Sequence, residues 1–258
     1  MSKTALVEAV RKFDLDTVRA ILKANPQLKH LQRGKGLNLL QFCCARSTDA
    51  DSAGADRQLR LAKWLVSDGF DPLVVHTTAA GEDGEEDPAH VSLVWFAVAK
   101  AQNNPLARFF LQQGATPGAL FAAAWWGNAD IVQDLVRHGA DLNEVVGATP
   151  FHMAVDVLER GVEGKPELAR RRLKLLREML RLGANPNIAA FNGTTPLHTV
   201  LEKGYGVAVF KLLLVHGANP DAPGKDGRTV RDIASRKKDK RYFAALARRR
   251  GNLATDCS

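Results

Sequence analysis

Along most of the chain, apolar residues recur three or four positions apart in short runs, and most runs stop at a glycine. The stops read "LVSDGFDP" (Leu65 to Pro72), "FLQQGATP" (Phe110 to Pro117), "LVRHGADLN" (Leu135 to Asn143), "MLRLGANPN" (Met179 to Asn187) and "LLVHGANPD" (Leu213 to Asp221). A period of three to four predicts amphipathic helices with one buried stripe. Glycine after the last apolar residue predicts a left-handed cap, and the Asp or Asn two places on predicts a turn. A degenerate stop, "LKANPQ", lies at Leu22 to Gln27. A second phrase opens the runs: "GATPFHMA" (Gly147 to Ala154), "GTTPLHTV" (Gly193 to Val200) and "GRTVRDIA" (Gly227 to Ala234). Thr149 and Thr195 are placed to cap helix N-termini, with Pro150 and Pro196 at the first helical position. The runs come in pairs, such as "ALFAAAWWG" with "ADIVQDLVRHG" and "TPLHTVLEKG" with "VAVFKLLLVHG".

These phrases resemble the ankyrin repeat, whose T-P-L-H-x-A signature marks a unit of one turn and two helices. The resemblance is strong from Ala119 to Ala234 and weaker before that. The resemblance implies an all-α solenoid of stacked helix-turn-helix units with hairpin-like loops. The expected units are seven, at 3–30, 36–76, 88–118, 119–146, 148–189, 194–224 and 228–251, in one domain followed by a tail at 252–258. Gly183 and Gly217 lie 34 residues apart, one repeat length, whereas Gly69 to Gly114 is 45 and Gly139 to Gly183 is 44. Those longer gaps predict insertions, "GEDGEEDPAH" (81–90) and "ERGVEGKPELARRR" (159–172). "STDADSAGADRQ" (47–58) reads as a third. Between Gly114 and Gly139 only 25 residues remain, and the short "GATPGAL" link implies a missing hairpin finger.

Charge changes the picture at the C-terminal end. The net charge is +8, and residues 228–250 carry ten Lys or Arg against two Asp, as much as the whole chain. A polar last unit is what a repeat stack needs to end in water. The same run could also meet an anionic ligand, nucleic acid or an acidic membrane, the alternative function. Nucleic acid is disfavoured, because only Tyr242 and Phe243 are interleaved with the charges. No apolar run approaches the ~18 residues of a membrane span, and "MSKTALVEAVRKFDLD" has no signal-like apolar stretch. Cys43, Cys44 and Cys257 are odd in number and fit a reducing cytoplasm, where the chain is expected to be a monomer. The adjacent pair reads as small core residues.

Candidate catalytic chemistry is thin. His152 and His198 occupy the fourth place of T-P-x-H, where the imidazole is expected to bond local backbone and tie neighbouring loops. "GKGLN" (34–38) and "GKDGR" (224–228) lack the phosphate-loop spacing and read as hairpin tips. His76, Glu82 to Asp87 and His90 read as a solvated acidic loop rather than a cation site. No enzyme activity, cofactor or metal is expected.

The resemblance also implies where a partner would bind. Two residues before the glycine that ends each inner helix point into a groove. In this chain they are Arg11 and Lys12, Ala45 and Arg46, Lys100 and Ala101, Trp125 and Trp126, Asp156 and Val157, Glu202 and Lys203, and Arg236 and Lys237. The expected site is thus mostly basic, with an indole pair near its middle, and its partner is a protein with an acidic surface. Adjacent helical residues point about 100° apart, so Trp125 and Trp126 cannot both enter one narrow core stripe. At least one of them meets a partner or covers surface left by the missing finger. The implied function is non-enzymatic protein binding, as an adaptor, an inhibitor or an immunity or antitoxin-like protein.

Overall fold

The computed structural model describes residues 3–32, 36–48, 51–77, 90–158, 164–237 and 240–252. Within them the helices fall in seven consecutive pairs. These are α1 (Lys3–Arg11) with α2 (Leu15–Ala24), α3 (Leu39–Cys44) with α4 (Ser52–Ser67), and α5 (Leu93–Ala99) with α6 (Asn104–Gln112). Next come α7 (Leu120–Trp126) with α8 (Ala129–Arg137), and α9 (Pro150–Asp156) with α10 (Pro166–Arg181). The last two pairs are α11 (Pro196–Lys203) with α12 (Val207–Val215), and α13 (Val230–Lys237) with α14 (Lys240–Asn252). The acidic run 81–88, the residues 159–163, the tail 253–258 and the side chains of His90, Lys237 and Arg248 to Arg250 lie outside the described residues.

The chain divides into two compact units. Unit 1 holds residues 1–122 and 137–140, and unit 2 holds 123–136 and 141–258. In unit 1 the inner helices α1, α3 and α5 pack in succession, and so do the outer helices α2, α4 and α6. Leu6, Ile21, Leu39, Leu61, Leu93 and Phe110 are fully buried between the two layers. On the outer layer a cation covers a ring of the next helix twice: Arg19 over Trp64 at 5.4 Å and Lys63 over Phe109 at 5.7 Å. Between α4 and α5, β1 (Val75–Thr77) pairs antiparallel with β2 (His90–Ser92), in the register Val75 to Ser92.

The later halves of two expected insertions are helix. α4 starts at Ser52 and α10 at Pro166, so each runs for 16 residues. Within α4, Gln58 is fully buried and donates to the carbonyls of Cys43 and Arg46, both at 2.9 Å. Asn103 donates to the Gln58 side-chain oxygen at 3.0 Å and to the Ala55 carbonyl at 3.0 Å. Within α10, Arg172 is buried and its guanidinium donates to the Val157 carbonyl. Gln58 and Arg172 each close the C-terminal end of the inner helix before them, where helix carbonyls lack intrahelical partners. A buried polar residue interrupts the apolar stripe, which is why both segments read as loops.

Unit 2 repeats a different cap. Thr149 and Thr195 precede α9 and α11, and each bonds the Nδ1 of a histidine three places on, at 2.8 Å from Oγ1. The far nitrogen of His152 reaches the Thr194 carbonyl and that of His198 the Arg228 carbonyl, both at 3.2 Å. A carbonyl only accepts, so Nε2 carries the proton in both rings. The histidines therefore tie one helix start to the loop of the next repeat, as expected. Asn143 and Asn187 link the outer turns in the same way, donating to the Gly183 and Gly217 carbonyls at 3.2 and 3.0 Å. "GKDGR" is a hairpin tip, closed by the Gly224 amide on the Arg228 carbonyl at 2.9 Å. The first residues of "GKGLN" lie outside the described residues.

Candidate protein-interaction face

α7 is a short alanine-rich helix whose buried side is made of small residues. Ala123 and Ala124 are fully buried, and Ile131, Val132 and Leu135 of α8 are buried with them. Gly127 stops α7 with a φ of +67°, a left-handed conformation that costs a side-chain-bearing residue about 1–2 kcal/mol. A Cβ there would also lie 3.1 Å from Cγ of Arg172, so that side chain would have to shift. The helix thus ends where the outer helix α10 comes against it.

Trp125 and Trp126 are the last two residues of α7, and they are 43% and 39% exposed. Large exposed aromatics on a folded surface are unusual, since each ring buries 150–250 Å² when it packs fully. The guanidinium of Arg171 donates to the Trp126 carbonyl at 3.3 Å. Lys174, one turn further along α10, pairs with Asp130 at 2.6 Å, and that hydrogen bond holds the ammonium above its usual pKa. The exposed Arg171 near the start of α10 is therefore set at the end of α7, while its neighbour Arg170 pairs with Glu167 at 3.4 Å. The expected insertion hid these two arginines. Pro166, at the first helical position of α10, is the signal that could have revealed them.

The other sequence-derived positions divide between the units. In unit 1, Arg11 and Lys12 lie 3.7 and 3.6 Å from Glu8, Arg46 is exposed, and the Lys100 ammonium sits 5.4 Å from the Trp95 ring. In unit 2, Glu202 and Arg236 are exposed and Lys203 pairs with Asp156. The Asp156 carbonyl accepts the Tyr205 hydroxyl at 2.9 Å. Ala101 and Val157 are each only 1% exposed, so these two positions face the core instead of a groove. Much of the expected basic character is thus neutralised locally, and the indole pair is the feature that stands out. An exposed apolar group was not foreseen: Val145 at 54%, Val146 at 64% and Phe191 at 93%, on adjacent loops joined by the Phe191 amide and the Gly147 carbonyl.

Cys43 and Cys44 are fully buried, and burial followed by the neighbouring Cys43 pushes the Cys44 thiol well above its usual pKa. His152 is held below its usual pKa by burial. Among the described residues, no group of three or more His, Cys, Asp or Glu comes together as a metal site. Among them, too, no helix is long and apolar enough to cross a membrane.

The ankyrin-repeat family model matches residues 118–145 and 192–225. The chain carries ankyrin repeats in these two stretches. It is similar to ankyrin repeat and SOCS box protein 6 of Pongo abelii, 35% identical over 120 residues, covering 43% of this chain and 26% of that protein. Ankyrin repeat and SOCS box protein 16 of Mus musculus is 32% identical over 115 residues, covering 45% and 24%. The chain thus spans about a quarter of the length of the curated relatives it matches. Among solved structures, the human ASB11 ankyrin repeat domain superposes with a TM-score of 0.68 at 19% identity, covering 94% of this chain and 96% of that one. The shared fold extends well beyond the two matched stretches. Ankyrin repeats are generally protein-interaction modules, because stacked repeats present an extended surface to a partner.

Proposed function

We propose that this protein binds a protein partner, without catalysis, through the face of unit 2 that carries Trp125 and Trp126. The observation that supports this reading is the pair of neighbouring indoles, 43% and 39% exposed at the end of a helix whose buried side is made of alanines. Trp and Arg dominate binding hot spots, and here Arg171 lies against the Trp126 backbone. The partner is a protein that offers an apolar side chain to the indoles and a carboxylate to Arg171. Glu202, Lys203 and Arg236, at the ends of the successive inner helices α11 and α13, extend the same surface. The protein acts as a monomeric adaptor or inhibitor that occupies one partner.

The test is comparative affinity capture from the native cell, with wild type, the Trp125→Ala/Trp126→Ala double variant and an Arg171→Glu variant. One protein should be retained by wild type and lost from both variants. Capture that is equal for all three places the binding surface elsewhere.

A further inference from the structure

The last repeat does not end in water in the way a polar cap would. α13 turns a polar surface outward, with Asp232, Ser235 and Arg236 exposed. α14 is different. Its inward side buries Tyr242, Ala245 and Leu246, and the Tyr242 ring stands edge-on to Phe210 of α12 with centroids 4.9 Å apart. Phe243 is 41% exposed, and Ala244 and Ala247 are exposed with it. Positions 240, 243, 244 and 247 are three and four apart, so they share one side of the helix. That side begins with exposed Lys240, next to exposed Arg241, and the same helix carries Arg248, Arg249 and Arg250. α14 thus has two apolar sides, and only one is covered.

We infer that the outward side of α14, led by Phe243, is a second docking surface, and that its occupant is an acidic amphipathic helix of a partner protein. Within unit 1 the outer helices α2, α4 and α6 lie against one another in succession, and in unit 2 α14 lies against α12. A helix laid along α14 continues that packing. Alanines at 244 and 247 let two helix axes approach within about 8–10 Å, and Phe243 supplies the knob. Charge selects the partner. Residues 228–250 carry a net +8, so a second copy of the chain brings like charge and is repelled. A nucleic acid backbone satisfies the arginines and leaves Phe243 uncovered. A helix with an apolar stripe between rows of Glu or Asp satisfies both. This surface is independent of the indole face.

The test uses the full chain and two synthetic amphipathic helical peptides with the same leucine stripe, one flanked by glutamates and one by lysines. Affinity is read by fluorescence anisotropy, and the site by backbone NMR shifts. The acidic peptide should bind at least about tenfold tighter than the basic one, with shifts centred on residues 240–247. Phe243→Ser, and separately Ala247→Glu, should each weaken it about tenfold while the thermal midpoint stays unchanged. Trp125→Ala/Trp126→Ala should leave it unaffected, which separates this surface from the indole face. Three results overturn the inference: acidic-peptide affinity unchanged by both α14 substitutions, tighter binding of a short DNA duplex with the same indifference to Phe243, or concentration-dependent dimerisation abolished by Phe243→Ser.

Discussion

In unit 2 the start of α9 is closed by Thr149 and His152, and the histidine reaches on to the Thr194 carbonyl of the next repeat. In unit 1 the start of α5 is closed by Ser92, whose hydroxyl accepts the Trp95 amide at 3.3 Å and donates to the Thr116 carbonyl at 2.8 Å. α3 uses a third solution, the reciprocal pair Asn38 and Gln41. The turn between inner and outer helix is Gly127 or Gly204 in one unit, and Phe13 or Gln102, at φ of +56° and +52°, in the other. The C-terminal end of an inner helix is braced by Arg172 in unit 2 and by Gln58 in unit 1. Positions in the repeat thus serve as cap and bridge, as turn, or as brace. These roles are common to both units, but the residues that fill them are not. The family model matches 118–145 and 192–225, which hold Gly127, Gly204 and the Thr195–His198 cap, while the same helix pairing extends through unit 1.

The comparison breaks most readily at the braces. Gln58→Leu removes three hydrogen bonds, to the Cys43 and Arg46 carbonyls and from the Asn103 amide, each worth about 1 kcal/mol. The expected loss is about 3 kcal/mol in a urea titration, with unit 1 probes melting first. Arg172→Met keeps most of the volume against Gly127 and removes the bond to Val157, so about 2 kcal/mol is expected, on unit 2 probes. A loss of under 0.5 kcal/mol at either site, by the ~1 kcal/mol scale of an ordinary hydrogen bond, means that side chain is not a brace.

The braces also mark where the sequence is hard to read. Helix ends at Gly139, Gly183 and Gly217 were legible because a left-handed position after an apolar stripe has one common solution. The T-P-x-H caps and the exposed indole pair were legible for similar reasons: local geometry decides them. The first halves of α4 and α10 were not, since Gln58 and Arg172 are buried by partners distant in sequence and look like loop residues from their neighbours alone. The indole surroundings failed with them, because Arg171 comes to Trp126 from 45 positions away. The outward side of α14 was read as a polar cap from its charges, and beside exposed Lys240 it also exposes Phe243 and two alanines.

The turns sharpen the comparison at a smaller scale. Gln102 holds a left-handed conformation that suits glycine, so Gln102→Gly should raise stability by up to about 1 kcal/mol, the cost of that conformation less the entropy of the more flexible chain. Gly204→Ala should lower it by a similar amount, measured in the same titration.

The caps differ in their response to pH, which is the smallest effect expected. Burial holds the His152 pKa below its ordinary value, so between the folded and unfolded values the unfolded chain binds more protons. The stability this histidine contributes is therefore intact above its ordinary range near 6.5 and is lost as pH falls below it. His152→Asn should flatten stability across that window, whereas Ser92, which does not titrate, fills the matching role in unit 1 with no such slope. An unchanged slope in the variant excludes His152 as its source.

The central claim is that Trp125 and Trp126 serve a partner and not the fold. The direct measurement is made on each single alanine variant: unfolding free energy of the free protein, and affinity for the protein captured by wild type. A binding role predicts a stability loss below about 1 kcal/mol and, for at least one of the two, about 2 kcal/mol of binding energy, roughly thirtyfold in affinity. Loss of about 3–5 kcal/mol of stability in both variants, the range for removing a packed aromatic, with affinity unchanged in each, would contradict it.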